Sequence, residues 1–370
     1  MKIWMRAAIL EEQGGPLRLR DDVVITPPGP GQVGVRITHC GICHSDLSLA
    51  DGVFPCPTPI VLGHEAAGIV EEIGPGVTRL APGDHVVVTP CPPCGTCYWC
   101  VRGEASLCVN AIGISTNTFP DGSTGLARAG AVVYRGVNVG GFAERVVTPA
   151  TGAVRIPADV PLGIACVIGC AVQTGVGAVL NTARLEEGST VLVTGLGGVG
   201  LSVVQGARLA GAARIIVSDP LVGRREAARD LGATDLLDPG AGDVAQQVSA
   251  LTVGIGVDAA FEAAGRAVLL QTCIDATRNG GTIVAVGAPG LEEQLTLLPA
   301  AFVITGKRLL GTVLGGSNSL RDIPRFIDLW RTGRLDLERM ITARRPLAEI
   351  NEGMADMRRG VGIRTVLELG

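Results

Sequence analysis

Val191-Leu192-Val193-Thr194-Gly195-Leu196-Gly197-Gly198-Val199-Gly200 is the stretch that decides the fold. Its first residues read as a buried strand, and the G-x-G-x-x-G that follows opens a helical run over residues 198–210. Gly195 permits a tight turn, Gly197 lets the backbone approach a pyrophosphate, and Gly200 lets helix and strand pack closely. Gly198 and Val199 begin the helix, whose unpaired N–H groups face the phosphates. The next strand ends at Asp219, where a carboxylate accepts hydrogen bonds from an adenosine ribose. That favours NAD over NADP, because a carboxylate repels the 2′-phosphate. A glycine-rich turn with a capping aspartate would lack this register of strand, helix and acid.

Outward from this stretch, helical patterns over residues 173–181 and 224–231 alternate with strands over 214–217, 257–261 and 282–286. Such alternation implies a parallel sheet covered by helices. Before about residue 155 the chain is different. Short β-branched runs at residues 33–38, 68–73 and 85–88 are separated by turns such as Pro28-Gly29-Pro30-Gly31 and Ala81-Pro82-Gly83-Asp84, and residues 1–10 read as a first strand. After Asp322 the pattern predicts helices over 324–330 and 347–358 and a closing strand over 364–369. The fold class is α/β: a doubly wound parallel sheet over 172–314, with a mostly β domain built from 1–171 and 315–370.

Composition narrows the function. A chain of 370 residues, 47% hydrophobic, fills two ordinary cores. Its net charge of -4 supplies no basic field for nucleic acid or an anionic membrane. Lysine occurs only at Lys2 and Lys307, which leaves little material for Schiff-base chemistry. Eleven cysteines, an odd number, in a long chain that opens with no ordinary signal peptide, suggest a reducing cytoplasm. Residues 162–180 approach the ~20 residues of a membrane span. They carry four glycines and two cysteines but no aromatic anchors, and so read as a buried helix at a domain junction.

Cysteine spacing predicts a metal. In Cys94-x2-Cys97-x2-Cys100-x7-Cys108, four thiolates can close around one tetrahedral zinc, leaving no open position, so this zinc is expected to be structural. Cys91 permits a shifted register, Cys91-Cys94-Cys97-Cys100. Binding of such a zinc is worth on the order of 10–16 kcal/mol in small zinc-finger peptides, so losing Cys94 is expected to cost stability before chemistry. A second set is spread through the chain. Gly41-Ile42-Cys43-His44-Ser45-Asp46, Gly63-His64-Glu65 and Cys170 together offer one imidazole and two thiolates, with a fourth position left for substrate.

The order G-I-C-H-S-D, G-H-E, four-cysteine lobe, G-C-x-x-x-T-G, G-L-G-G-V-G and acidic strand end resembles zinc-dependent alcohol dehydrogenases of the medium-chain dehydrogenase/reductase family over essentially the whole length. The resemblance implies a GroES-like catalytic domain, a Rossmann domain, two zinc ions per chain and NAD. Cys43, His64 and Cys170 would hold the catalytic zinc, the ligand set known for alcohol dehydrogenases. Glu65 would be an occasional ligand, and Asp46 would orient His64. Thr174 would press on the nicotinamide, Val286 would lie beside the cofactor, His44 and Arg364 would hold the pyrophosphate, and Arg224 would lie near the adenosine ribose.

By the same resemblance a hydrophobic primary alcohol, bound among Phe54, Pro90, Val137, Ala288 and Val313, would become a zinc alkoxide and pass a hydride to NAD+, with Ser45 relaying the proton. Ser48 stands where the family often ends that relay with a histidine, so the proton would leave through water or another group. The glutathione-adduct formaldehyde dehydrogenases of the family carry acidic and arginine residues where this chain has Phe54 and Ile112, which disfavours that alternative. A non-catalytic zinc and NAD-binding protein is the alternative from another class, and retention of NAD with use of an external acceptor is a variant within the enzyme class. The long connection over residues 108–142, with Pro120-Asp121-Gly122-Ser123, resembles the dimeric branch and predicts a homodimer.

Overall fold

The computed structural model describes residues 3–369, so Met1 and Lys2 of the expected first strand lie outside the described residues. The chain divides into two compact units. The first comprises the chain up to Cys170, Asn318–Thr332 and the segment from Ile341; the second comprises Ala171–Ser317 and Gly333–Met340. Gly333–Met340, expected with the β-rich domain, belongs to the second unit because Gln205 holds it there. The Gln205 amide donates to the Asp336 carbonyl at 3.1 Å, and its oxygen accepts the Asp336 N–H at 2.7 Å.

In the second unit, six strands form a sheet in the order Asp235–Leu237, Arg214–Ser218, Thr190–Thr194, Val257–Glu262, Thr277–Ala285, Arg308–Gly311, all parallel. Val191, Leu192 and Val193 are fully buried, as a strand covered on both faces requires. The helix Gly198–Leu209 follows directly and buries Leu201, Val203, Val204 and Ala207. The two outermost strands gave weak sequence signals because they are short and only partly buried.

In the first unit, Ile3–Leu10, Leu17–Ile25, Leu126–Arg128, Ala131–Arg135 and Ile60–Val61 close a small barrel. A second sheet carries Gln32–Gly41 between Glu65–Ile73 and Arg364–Glu368. The connection over residues 108–142 is therefore more than a turn-rich loop. Leu126–Arg128 and Ala131–Arg135 pair as a hairpin through Ala129 and Gly130, both with positive φ, the conformation a two-residue hairpin turn demands.

Two expected helices change form. The helix placed over 324–330 starts at Ser319, because the Asn318 side chain caps the Leu320 N–H at 3.2 Å and Pro324 is accommodated inside the helix. The apolar run over 162–180 is broken at Cys170, whose backbone is not helical (φ -137°, ψ -74°). Short helices Leu162–Ala165 and Cys166–Gly169 precede the break; Ala171–Gly177 and Ala178–Ala183 follow it. Among the described residues no single helix is long and apolar enough to cross a membrane.

Candidate active site

The ligand atoms of Cys43, His64 and Cys170 lie within 4.8 Å of one another. Two sulfurs about 2.3 Å from a tetrahedral zinc would stand roughly 3.8 Å apart, so the spacing suits the ion. Cys43 is the N-cap of the helix His44–Ala50, and Asp46 in its first turn accepts the Cys43 N–H at 3.0 Å. The other oxygen of the buried Asp46 accepts the Gly63 N–H at 2.8 Å and faces His64 Nδ1 at 3.0 Å. One carboxylate thus ties the loop of one ligand to the loop of another. With Nδ1 as the donor to Asp46, Nε2 keeps its lone pair, and that atom is buried with no hydrogen-bond partner among the described residues. A buried imidazole in this state is suited to metal ligation.

The same neighbours of His64 also favour a proton on Nε2, which an incoming zinc ion would have to displace. Burial opposes charge on His64, yet Asp46 and the Cys43 sulfur hold its imidazolium well above the ordinary histidine range. A hydrogen bond from Cys170, helped by His64 and opposed by burial, holds the Cys43 thiol well below the usual range, while the same bond and burial push Cys170 up. Ser45 is half-buried with its Oγ 4.0 Å from Cys43 Sγ.

Behind the ligands, Glu65 is fully buried and pairs with Arg364 at 3.4 Å. Burial pushes the Glu65 carboxyl up to about 8 against the pull of Arg364. Any side chain on Gly41 would collide with this carboxylate. Arg364, expected at the pyrophosphate, is itself buried in the first unit and donates to the Ile42 carbonyl at 2.6 Å. Sequence reasoning missed this pairing of Arg364 with Glu65. His44 is exposed, with Nδ1 3.4 Å from the hydroxyl of the buried Ser48.

The four-cysteine lobe resolves its register. Cys94, Cys97, Cys100 and Cys108 place their sulfurs within 4.8 Å of one another. Cys91 lies outside that group, buried, with its thiol pushed up to about 12 by burial. Backbone N–H groups point at the lobe sulfurs: Cys94 to Cys108 at 3.2 Å, Cys97 to Cys94 at 3.3 Å and Asn110 to Cys108 at 3.4 Å. Such donors favour thiolates, and those from Thr96 and Cys97 bring Cys94 down to about 6.

In the second unit the glycine turn has the form a dinucleotide needs. Gly195 has φ +84°, and a Cβ there would come within 2.7 Å of Ala264. Gly197 meets nothing within 4 Å, which leaves open space where a pyrophosphate would lie, at a helix start that no side chain caps. Asp219 is buried and accepts N–H bonds from Leu196 at 2.8 Å and Leu221 at 2.9 Å, with Arg224 at 4.0 Å. Thr174 and Val286 are buried in this unit, whereas Ala288 is exposed and Val313 is 42% exposed. Pro90 and Val137 are buried and Phe54 half-buried in the first unit.

A dinucleotide turn in one unit and a Cys-His-Cys metal centre in the other define a metal-dependent dehydrogenase. The alcohol dehydrogenase GroES-like domain matches residues 29–158, and the zinc-binding dehydrogenase domain matches residues 198–330. The chain is 37% identical to an NDMA-dependent alcohol dehydrogenase of Amycolatopsis methanolica, covering 98% of each. It is 36% identical to an S-(hydroxymethyl)glutathione dehydrogenase of Synechocystis, covering 98% of this chain and 99% of that one. The benzyl alcohol dehydrogenase of Acinetobacter calcoaceticus superposes with a TM-score of 0.93 at 30% identity, over 100% of both chains. The chain belongs to the zinc-dependent alcohol dehydrogenases of the medium-chain dehydrogenase/reductase family.

Proposed function

We propose that the protein interconverts a hydrophobic primary alcohol and its aldehyde, with NAD+ as hydride acceptor. The observation that carries this is the convergence of Cys43, His64 and Cys170 with an unpartnered His64 Nε2. When bound, zinc supplies the Lewis acidity that ionises a hydroxyl near neutral pH, on the order of 12 kcal/mol if a pKa falls from about 15.7 to about 7, and NAD supplies the acceptor. The protein's own groups do the rest. Asp46 fixes the tautomer and orientation of His64, Ser45 beside Cys43 takes up the alcohol proton and passes it on, and the Gly197 turn seats the pyrophosphate. Phe54, Pro90 and Val137 offer only apolar contact, which suits a benzylic or allylic substrate and agrees with the likeness to a benzyl alcohol dehydrogenase.

The test is NADH formation from benzyl alcohol by the zinc-loaded chain, compared with the S-(hydroxymethyl)glutathione adduct. Faster turnover of the thiol adduct would overturn the substrate assignment. The relative named NDMA-dependent supports a second reading, in which NAD stays bound and is recycled by an external acceptor. NAD retained through exhaustive dialysis, with alcohol turnover only when NDMA is added, would favour it.

Asp219 carries the preference for NAD. An Asp219→Ser chain is expected to shift the ratio of kcat/KM for NAD over NADP by roughly a hundredfold toward NADP. That is the size expected on removing one charge about 6 Å from another in a partly screened site. An unchanged ratio would remove Asp219 from cofactor selection.

A homodimer is also part of this reading. Arg308–Gly311 ends the order of its sheet, and nearby Val303 and Ile304 are 84% and 82% exposed, an edge and an apolar strip that a second copy would cover. Sedimentation at the mass of one chain at micromolar concentration would contradict it.

A further inference from the structure

Asn138 is buried and none of the chemistry above uses it, yet its side-chain amide bridges two segments that are far apart in sequence. One N–H donates to the Pro90 carbonyl at 2.9 Å and the other to the Asn110 carbonyl at 3.1 Å. Asn110 belongs to the four-cysteine lobe: its own N–H points at Cys108 Sγ, and its side chain donates to the Pro92 carbonyl at 3.1 Å. Pro90 and Val137, the latter beside Asn138, continue segments that pack beside the metal ligands' own segments. The carbonyl of Val88, two residues before Pro90, packs on Gly169 beside Cys170, and Gly136 packs on Leu62, two residues before His64.

The turn closes on two backbone bonds of its own, from the Val139 and Gly140 N–H groups to the Gly136 carbonyl at 3.1 Å, but its backbone is strained. Val137 and Asn138 both have left-handed backbones, at φ +50° and +64°; asparagine tolerates that conformation, but for a β-branched valine it is strained. Surrounding groups impose it. Arg135, itself buried, donates to the Asn138 carbonyl at 2.7 Å, and Asn117 Oδ1 accepts the Val137 N–H at 3.1 Å. Any side chain on Gly113 would collide with the Asn138 amide, so the lobe-side segment approaches it as closely as backbone allows.

We propose that Asn138 is a positioning residue that couples the four-cysteine lobe to the Pro90–Val137 wall beside the metal centre, so that metal in the lobe sets the geometry of the alcohol pocket. The coupling is mechanical and reciprocal. Ordering the lobe fixes the Asn110 carbonyl, which fixes the amide, which fixes the Pro90 carbonyl and the strained Val137 turn; loosening the turn must equally loosen the lobe. The link to alcohol binding rests on the dehydrogenase reading above, whereas the link between lobe and turn does not.

The test uses the full zinc-loaded chain. Asn138→Asp keeps size and left-handed tolerance but faces two carbonyls with acceptors; Asn138→Gly removes the amide and keeps the backbone free, and serves if the first variant folds poorly. With two bonds lost, zinc release to a chromogenic chelator and hydrogen exchange over residues 136–140 are each expected to quicken about tenfold. The KM for alcohol is expected to rise about tenfold, with the KM for NAD and kcat within about twofold. Cys94→Ser, which removes a lobe sulfur and leaves the Asn138 amide in place, is expected to quicken exchange over 136–140 similarly, and the double variant to add little to either single one. Exchange over 136–140 unchanged in Cys94→Ser, or zinc release unchanged in both Asn138 variants, would overturn the coupling. An unchanged KM for alcohol alongside faster exchange would overturn its reach to the pocket. A wild-type chain without alcohol turnover would instead sink the dehydrogenase reading, while the exchange and release measurements still decide the coupling.

Discussion

A Cys170→Ser chain is expected to fold, to bind one zinc fewer than the wild type and to oxidise alcohols at least about a thousandfold more slowly. Each tenfold in rate is about 1.4 kcal/mol of transition-state stabilisation, and a Lewis acid at a developing alkoxide contributes several times that. A serine hydroxyl is a poor zinc ligand because it does not ionise as a thiol does. It nevertheless fits the space of the thiol and can still donate toward Cys43, as Cys170 does in the metal-free residues. The fold therefore has little reason to fail. Zinc counted per chain, a melting curve and NADH formation separate the outcomes. Wild-type turnover in a chain that has lost this zinc would mean that the chemistry lies elsewhere.

The second large effect concerns the glycine turn, where two glycines of one motif have different physical roles. Gly197→Ala is expected to leave the melting temperature within a few degrees of wild type, since a Cβ there meets no atom within 4 Å, yet to weaken NAD binding by about a hundredfold or more because the methyl occupies space the pyrophosphate needs. Gly200→Ala is expected to do the reverse first. Its Cβ would collide with the Gly195 carbonyl oxygen, a backbone atom that cannot yield, at an overpacking cost of about 1–3 kcal/mol. Titration with NAD and thermal melting of both variants check this, and equal effects of the two on stability would contradict it.

These contrasts show which parts of the molecule could be read from sequence. The strand Thr190–Thr194 and its turn were legible because each constraint there is local: consecutive apolar residues, then glycines at fixed offsets. The lobe cysteines were legible for the same reason, except that spacing alone left Cys91 open until the sulfurs of Cys94, Cys97, Cys100 and Cys108 were seen together. Long-range pairings were not legible. Glu65 and Arg364 are both charged residues in strands of ordinary pattern, and nothing local marks either as the other's buried partner. The start of the helix at Ser319 was hidden because Pro324 resembles a first-turn proline, whereas the cap is Asn318. Asn138 was hidden too, since an asparagine after Gly136-Val137 reads as a turn residue and its amide finds its acceptors 48 and 28 residues away.

In the proposed reaction a hydride leaves an alcohol carbon near Cys43, His64 and Cys170 and reaches NAD held by the glycine turn. The most direct measurement is the mass of the nicotinamide after the zinc-loaded chain is incubated with NAD and benzyl alcohol carrying two deuterons on its carbinol carbon, whether the cofactor is free or retained. NADH one mass unit heavier together with monodeuterated benzaldehyde is expected, and neither product in Cys170→Ser. Unlabelled cofactor beside a fully loaded wild-type chain, across benzylic, allylic and aliphatic alcohols, would contradict it.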